Sequence, residues 1–214
     1  MKLIVFDLDN TIYDETAYYL GVAREYEQQQ TVLLFPDLDQ ILNRTFIKSH
    51  SDVWGALLEH YQCYTKVRQQ ALFDLYQTAS VPINVYDTFL DMLQFFKEKN
   101  MKVGVITNGV VQAQKNKVRC LNLTPLVDVI IYARQWGKTY EKPHEKSFCE
   151  MGNVFDIQND EWLYIGDTFE TDILGAQGAN IQSIWITSES AENKNGVVVV
   201  SSLDKCFEHL KGLF

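Results

Sequence analysis

The sequence predicts an α/β protein: a doubly wound parallel sheet into which an all-helical segment is inserted. Two observations carry the sheet. Short apolar runs recur along the chain, each the length of a strand buried on both faces, and helix-length patterns alternate with them. A third observation carries the insertion. Between about residue 14 and residue 82 the alternation stops, and only helix-period stripes remain.

Taken in chain order, "LIVF" (3–6) is the first expected strand. The insert follows with the stripes Leu38, Ile41, Leu42, Thr45; then Val53, Trp54, Leu57, Leu58, Tyr61; then Val67, Ala71, Leu75, Ala79. Pro82 and Asn84 mark the return to the α/β part. Further strands are expected at "KVGVIT" (102–107), "VDVIIYA" (127–133), "WLYIGD" (162–167) and "IQSIWI" (181–186). Helices are expected at 86–100, 110–120, 144–155 and 169–180. The last segment, "SSLDKCFEHLKGLF", spaces Leu203, Phe207, Leu210 and Phe214 along one helical face behind a serine cap. The expected division is therefore a core of residues 1–13 and 83–214 and a helical cap of residues 14–82.

Size agrees with that division, since 214 residues are long for one compact domain and short for two. Hydrophobic residues at 46% and charged residues at 22% are enough for a real core and exclude a disordered chain. A formal net charge of -9 argues against nucleic-acid partners and against anionic membranes, both of which require basic patches. An anionic substrate would need local positive charge to overcome that field. The start "MKLIVFDLDN" meets acid too early for a signal peptide or a membrane span, so a cytoplasmic protein is expected. Cys63, Cys120, Cys149 and Cys206 form no C-x-x-C pair, and the four histidines form no H-x-x-x-H. Free thiols are expected and a zinc site is disfavoured.

Chemistry gathers at the strand ends, where ligands bind in open parallel sheets. Three strands end polar, at Asp7, Thr107 and Asp167. Asp7 and Asp9 stand two apart in "FDLDNT", so in an extended chain both side chains leave the same face. Like charges that close raise each other's pKa unless a cation or a proton lies between them. With Asp167 arriving from another strand end, the set suits Mg²⁺, which takes one or two carboxylates and bridges to phosphate. For the phosphate itself, "ITNGVV" offers the Thr107 hydroxyl, backbone N–H groups around Asn108 and Gly109, and a helix start. "YEKPHEKSF" adds Lys142, held extended by Pro143 before a helix beginning near His144. By its local sequence alone, Lys142 reads as a solvated surface lysine.

"DLDNT", "ITNG", "EKP" and "GDTFETD", in that order and at those spacings, resemble the four motifs of the haloacid dehalogenase superfamily. The likeness spans essentially the whole chain, and the helical insert after the first motif resembles its C1-cap phosphatases. The resemblance implies a Rossmann-like core and a Mg²⁺-dependent phosphomonoester hydrolase. It makes Asp7 the nucleophile that becomes an aspartyl-phosphate and Asp9 the general acid and base. It assigns Thr107 and Lys142 to the transferring phosphoryl group. Mg²⁺ would be held by Asp7, Asp167 and the backbone carbonyl of Asp9, with Asp172 orienting Lys142 or metal-bound water. Asp9 argues against dehalogenation, because the dehalogenases lack that second aspartate.

The insert would close over the site and choose the leaving group. Most of its aromatic residues read as the cap's own core, and Arg24, Arg44, Lys48 and Arg68 supply positive charge. The pattern "GDTFETDILGA" with "ITNG" looks most like pyrimidine 5'-nucleotidases and acylneuraminate 9-phosphatases, so the expected partner is a small phosphorylated metabolite, a nucleoside monophosphate or a sugar phosphate. The alternatives are a phosphomutase of the same superfamily and a phosphate-binding protein without activity.

Overall fold

The computed structural model describes residues 1–188 and 196–213. Its centre is a six-stranded, all-parallel sheet. The strands are β1 (Leu3–Phe6), β2 (Lys102–Thr107), β3 (Val129–Tyr132), β4 (Trp162–Gly166), β5 (Gln182–Ile186) and β6 (Val198–Val200). Their order is β3-β2-β1-β4-β5-β6, the doubly wound arrangement in which the chain reverses direction across the sheet beside β1. Five strands lie where the apolar runs place them. The sixth, β6, was not among the expected strands.

Alternation along the strands explains why those runs are continuously apolar. Ile4, Phe6, Val105, Leu163 and Ile165 face one hydrophobic cluster, while Leu3, Val5, Ile106, Trp162 and Tyr164 face another. Both faces are covered, so β1 and β4 at the centre carry only apolar or aromatic residues, and the polar residues of β2 stand at its ends. Helix α6 (Asp87–Glu98) buries Phe89, Met92 and Phe96 on the first face, and α10 (Leu203–Lys211) adds Leu203, Cys206 and Leu210. Ser202 caps α10 by accepting from the Lys205 N–H, as expected. Phe214, counted in the same stripe, lies outside the described residues. On the second face α8 (Lys146–Phe155) buries Phe148 and Met151. That helix begins two residues beyond His144, and the Lys142–Pro143 peptide before it is cis.

Between β1 and α6 the chain is helical: α1 (Glu15–Gln28), α2 (Leu38–Ile41), α3 (Arg44–Ser49), α4 (Val53–His60) and α5 (Lys66–Thr78). Side chains of Asp14, Asn43, Asp52 and Thr65 accept backbone N–H groups at the starts of α1, α3, α4 and α5. The aromatic residues close a core here, with Tyr19 5.1 Å from Trp54 and 5.0 Å from Tyr76, and Phe35 5.2 Å from Tyr61. Of the third stripe, Ala79 is buried and Ala71 and Leu75 pack against the same core, whereas Val67 in the first turn of α5 is 80% exposed and Leu72, outside the stripe, is fully buried. Among the described residues no helix is long and apolar enough to cross a membrane.

Candidate active site

The carboxyl ends of β1, β2 and β4 meet where the sheet reverses. The Asp7 N–H donates to the Ile165 carbonyl at 2.8 Å, which holds Asp7 just beyond β1 and beside the end of β4. Asp167 follows β4, and Asp172 arrives from the π-helical turn Phe169–Ile173. Asp7, Asp167 and Asp172 are all buried and offer carboxylate oxygens within 4.8 Å of one another. Gly166 permits this approach. A Cβ at that position would stand 2.5 Å from the Asp172 carboxylate, so any larger residue pushes Asp172 out of place.

Lys142 lies inside this cluster and is only 4% exposed, which corrects the reading of a surface lysine. Its ammonium, with three protons to give, lies within hydrogen-bond reach of four acceptors: Asp7 Oδ1, Asp172 Oδ1 at 2.7 Å, the Tyr164 hydroxyl at 2.8 Å and the Ile106 carbonyl at 3.1 Å. Asp172 also accepts the Thr168 N–H at 3.0 Å through its other oxygen, which fixes the carboxylate that orients Lys142. Burial alone would lower the lysine's pKa, and the carboxylates of Asp172 and Asp7 more than reverse it. Lys142 therefore stays charged. Burial raises the Asp7 pKa well above the usual carboxylate range; Lys142 opposes this, and Asp172, Asp167 and Asp9 add to it. Three crowded carboxylates and one ammonium leave a negative excess of oxygen donors only. That donor set fits a hard divalent cation.

Asp9 opens on the same cavity as Asp7, yet its carboxylate is held by a different group. Its Oδ1 accepts the Tyr13 hydroxyl at 2.5 Å and the Lys117 ammonium at 2.8 Å, and its Oδ2 accepts the Gln114 amide at 2.7 Å. Gln114 also bonds the Thr107 hydroxyl, tying the two strand-end residues together. Lys117 reaches Glu15 of α1 at 2.8 Å, and at 1% exposure it stays charged because Asp9 and Glu15 outweigh the cost of its burial. Sequence reasoning missed Gln114 and Lys117. A signal was present in the i, i+3 spacing that puts them on the buried face of α7 (Val111–Cys120) with Ala113 and Val118. Lys117→Met should lower stability by about 2–3 kcal/mol, less than a fully buried pair because Asp9 keeps 21% side-chain exposure. Urea unfolding measures this; a loss below about 0.5 kcal/mol would show that water fully replaces the ammonium.

The turn after β2 is braced from the "EKP" segment. Asn108 accepts the Lys142 N–H at 2.8 Å and donates to the Lys142 carbonyl at 2.9 Å. Gly109, at φ 108°, takes a conformation that only glycine adopts without strain, and its N–H donates to Glu141. Glu141 is clamped in turn by Arg134 through two 2.9 Å bonds. The Gly109 N–H expected to face the phosphate is thus committed to Glu141, leaving Asn108 and Lys142 on the cavity wall, with Thr107 buried behind it against Gln114.

From the insert, Arg44 and Lys48 reach Asp167 Oδ2 at 2.6 and 3.3 Å. Ile47 and Lys48 roof a cavity of about 250 Å³ whose floor includes Asp7, Asp9, Lys142 and Asp167.

Residues 4–186 match the family of haloacid dehalogenase-like hydrolases. The chain is 23% identical to glyceraldehyde 3-phosphate phosphatase of Methanocaldococcus jannaschii over 229 residues, covering 100% of this chain and 98% of that protein. It is 22% identical to N-acylneuraminate-9-phosphatase of Homo sapiens, covering 94% of this chain and 86% of the relative. The magnesium-bound crystal structure of the HAD-hydrolase YfnB from Bacillus subtilis superposes with a TM-score of 0.75 at 20% identity, covering 98% of each chain. Since the match runs from β1 through β5 and takes in all four motif segments, the chain belongs to the haloacid dehalogenase-like hydrolases.

Proposed function

We propose that this chain is a Mg²⁺-dependent phosphomonoester hydrolase that acts through an aspartyl-phosphate on a small phosphorylated metabolite. The observation that carries the reading is the buried Asp7–Lys142–Asp172 contact set, with Asp167 alongside and Asp9 opening on the same cavity. An Asp7 oxygen attacks phosphorus, and the ester P–O bond breaks as Asp9 gives its proton to the leaving alkoxide. Water then attacks the phosphorus of the aspartyl-phosphate, Asp9 takes the water's proton, and phosphate leaves with Asp7 regenerated. Thr107, Asn108 and Lys142 bind the phosphoryl oxygens, with Lys142 as a fixed positive charge. A magnesium ion held by Asp7, Asp167 and the Asp9 carbonyl would neutralise further charge on those oxygens.

In this reading residues 14–82 form the lid and residues 1–13 and 83–214 the catalytic core. The lid's contribution is to shed water and select the leaving group. All four thiols are free, which suits a reducing cytoplasm.

Activity on an aryl phosphate should vanish with EDTA and return with Mg²⁺; full turnover in excess chelator would refute the metal's role. Product analysis with hexose phosphates separates hydrolysis from the mutase alternative. Free phosphate is the expected product, and an isomer with little free phosphate would favour the mutase.

A further inference from the structure

Resting on the phosphatase reading above, we propose that the cavity takes a short open-chain phosphomonoester carrying a second anionic group, a carboxylate or another phosphate, and that Arg44 and Lys48 bind that group. These two cations take no part in the chemistry just described. Helix α3 puts them four residues apart on one face, and both end on a single oxygen of Asp167. Among the described residues neither has another carboxylate partner. One carboxylate neutralises only one of them. The pair carries one more positive charge than Asp167 neutralises; Lys48 lines the cavity and Arg44 meets it at Asp167, in a chain whose net charge is -9. Both side chains are about half exposed, at 45% and 50%, so they can turn toward an incoming anion. An arginine fork and a lysine point charge together suit a carboxylate or a phosphate.

A second observation concerns the walls. The residues lining the cavity include no aromatic ring. The insert's rings pack on one another instead, as in the Tyr18–Tyr76 and Tyr19–Trp54 pairs. Tyr86, close enough to feel the charges of Arg44 and Asp167, lies outside the lining. A nucleobase would find no ring to stack on. The volume of about 250 Å³ also falls below the ~300–1,000 Å³ of sites that enclose drug-sized ligands. Because Asp7 and Asp167 share one cluster, the second anion would sit a short carbon chain from the phosphoryl group.

The test compares phosphoglycerate with glycerol phosphate and with cytidine monophosphate, in Mg²⁺, for the wild type, Arg44→Gln and Lys48→Gln. In the wild type, kcat/KM for phosphoglycerate should exceed both others by about tenfold or more, and each substitution should pull the ratio to glycerol phosphate toward one. Calorimetry with phosphonopropionate and propylphosphonate should show the same preference in Kd, independently of turnover. Equal constants for charged and neutral ligands in the wild type, a preference kept in both variants, or a preference for the nucleotide would overturn the inference while phosphate release still upheld the phosphatase reading. Release from none of these esters, nor from an aryl phosphate, would overturn both.

Discussion

Asp7→Asn should abolish turnover, by about 10⁵-fold or more, and no phosphoenzyme should form with any substrate. The amide removes the attacking oxygen's charge while preserving shape, and Lys142 keeps its bond to Asp172, so the fold should survive. The companion variant Asp9→Asn separates the two aspartates. Its loss should be greatest on alkyl phosphates, whose leaving groups need a proton, and least on nitrophenyl phosphate, which departs without one. With the good leaving group the phosphoenzyme should then accumulate, because water is no longer deprotonated. Single-turnover trapping with both substrates reads this directly. Equal losses on the two esters without a trapped intermediate would remove Asp9 from the proton-transfer role, and a phosphoenzyme in Asp7→Asn would move the nucleophile elsewhere.

Lys142→Ala should reduce turnover by about 10³-fold or more and should also destabilise the protein. The sequence alone suggests a charge that can be removed without harm to the fold. The structure shows otherwise: four contacts converge on an ammonium that is only 4% exposed. Its removal leaves Asp7 and Asp172 buried and uncompensated, at a cost of about 3–5 kcal/mol. Added Mg²⁺ should recover part of the stability and little of the activity, since a cation can neutralise the carboxylates without restoring the donor to the phosphoryl group. Thermal unfolding with and without Mg²⁺, beside steady-state kinetics, checks both halves. An unchanged Tm in EDTA would show that the cluster carries no excess negative charge.

The identity and order of the chemical groups were determined by the sequence. Asp7, Thr107 and Asp167 could be assigned to strand ends because strands covered on both faces are continuously apolar, so the first polar residue after each run marks the sheet's edge. The helical character of residues 14–82 was equally legible from periodicity, and so was the serine cap of α10. Only the tertiary structure decided which charges meet. The spacing along α7 can put Lys117 on the buried face, yet only the packing of α1 and the end of β1 makes Glu15 and Asp9 its partners. Arg44 and Lys48 were two of several basic residues until α3 was laid over Asp167. The commitment of the Gly109 N–H to Glu141 depends in the same way on two loops meeting across the sheet's end. Hydrophobic periodicity is written locally, one residue at a time, whereas the partner of a charge is set by chain segments about a hundred residues apart and leaves no mark in the local pattern.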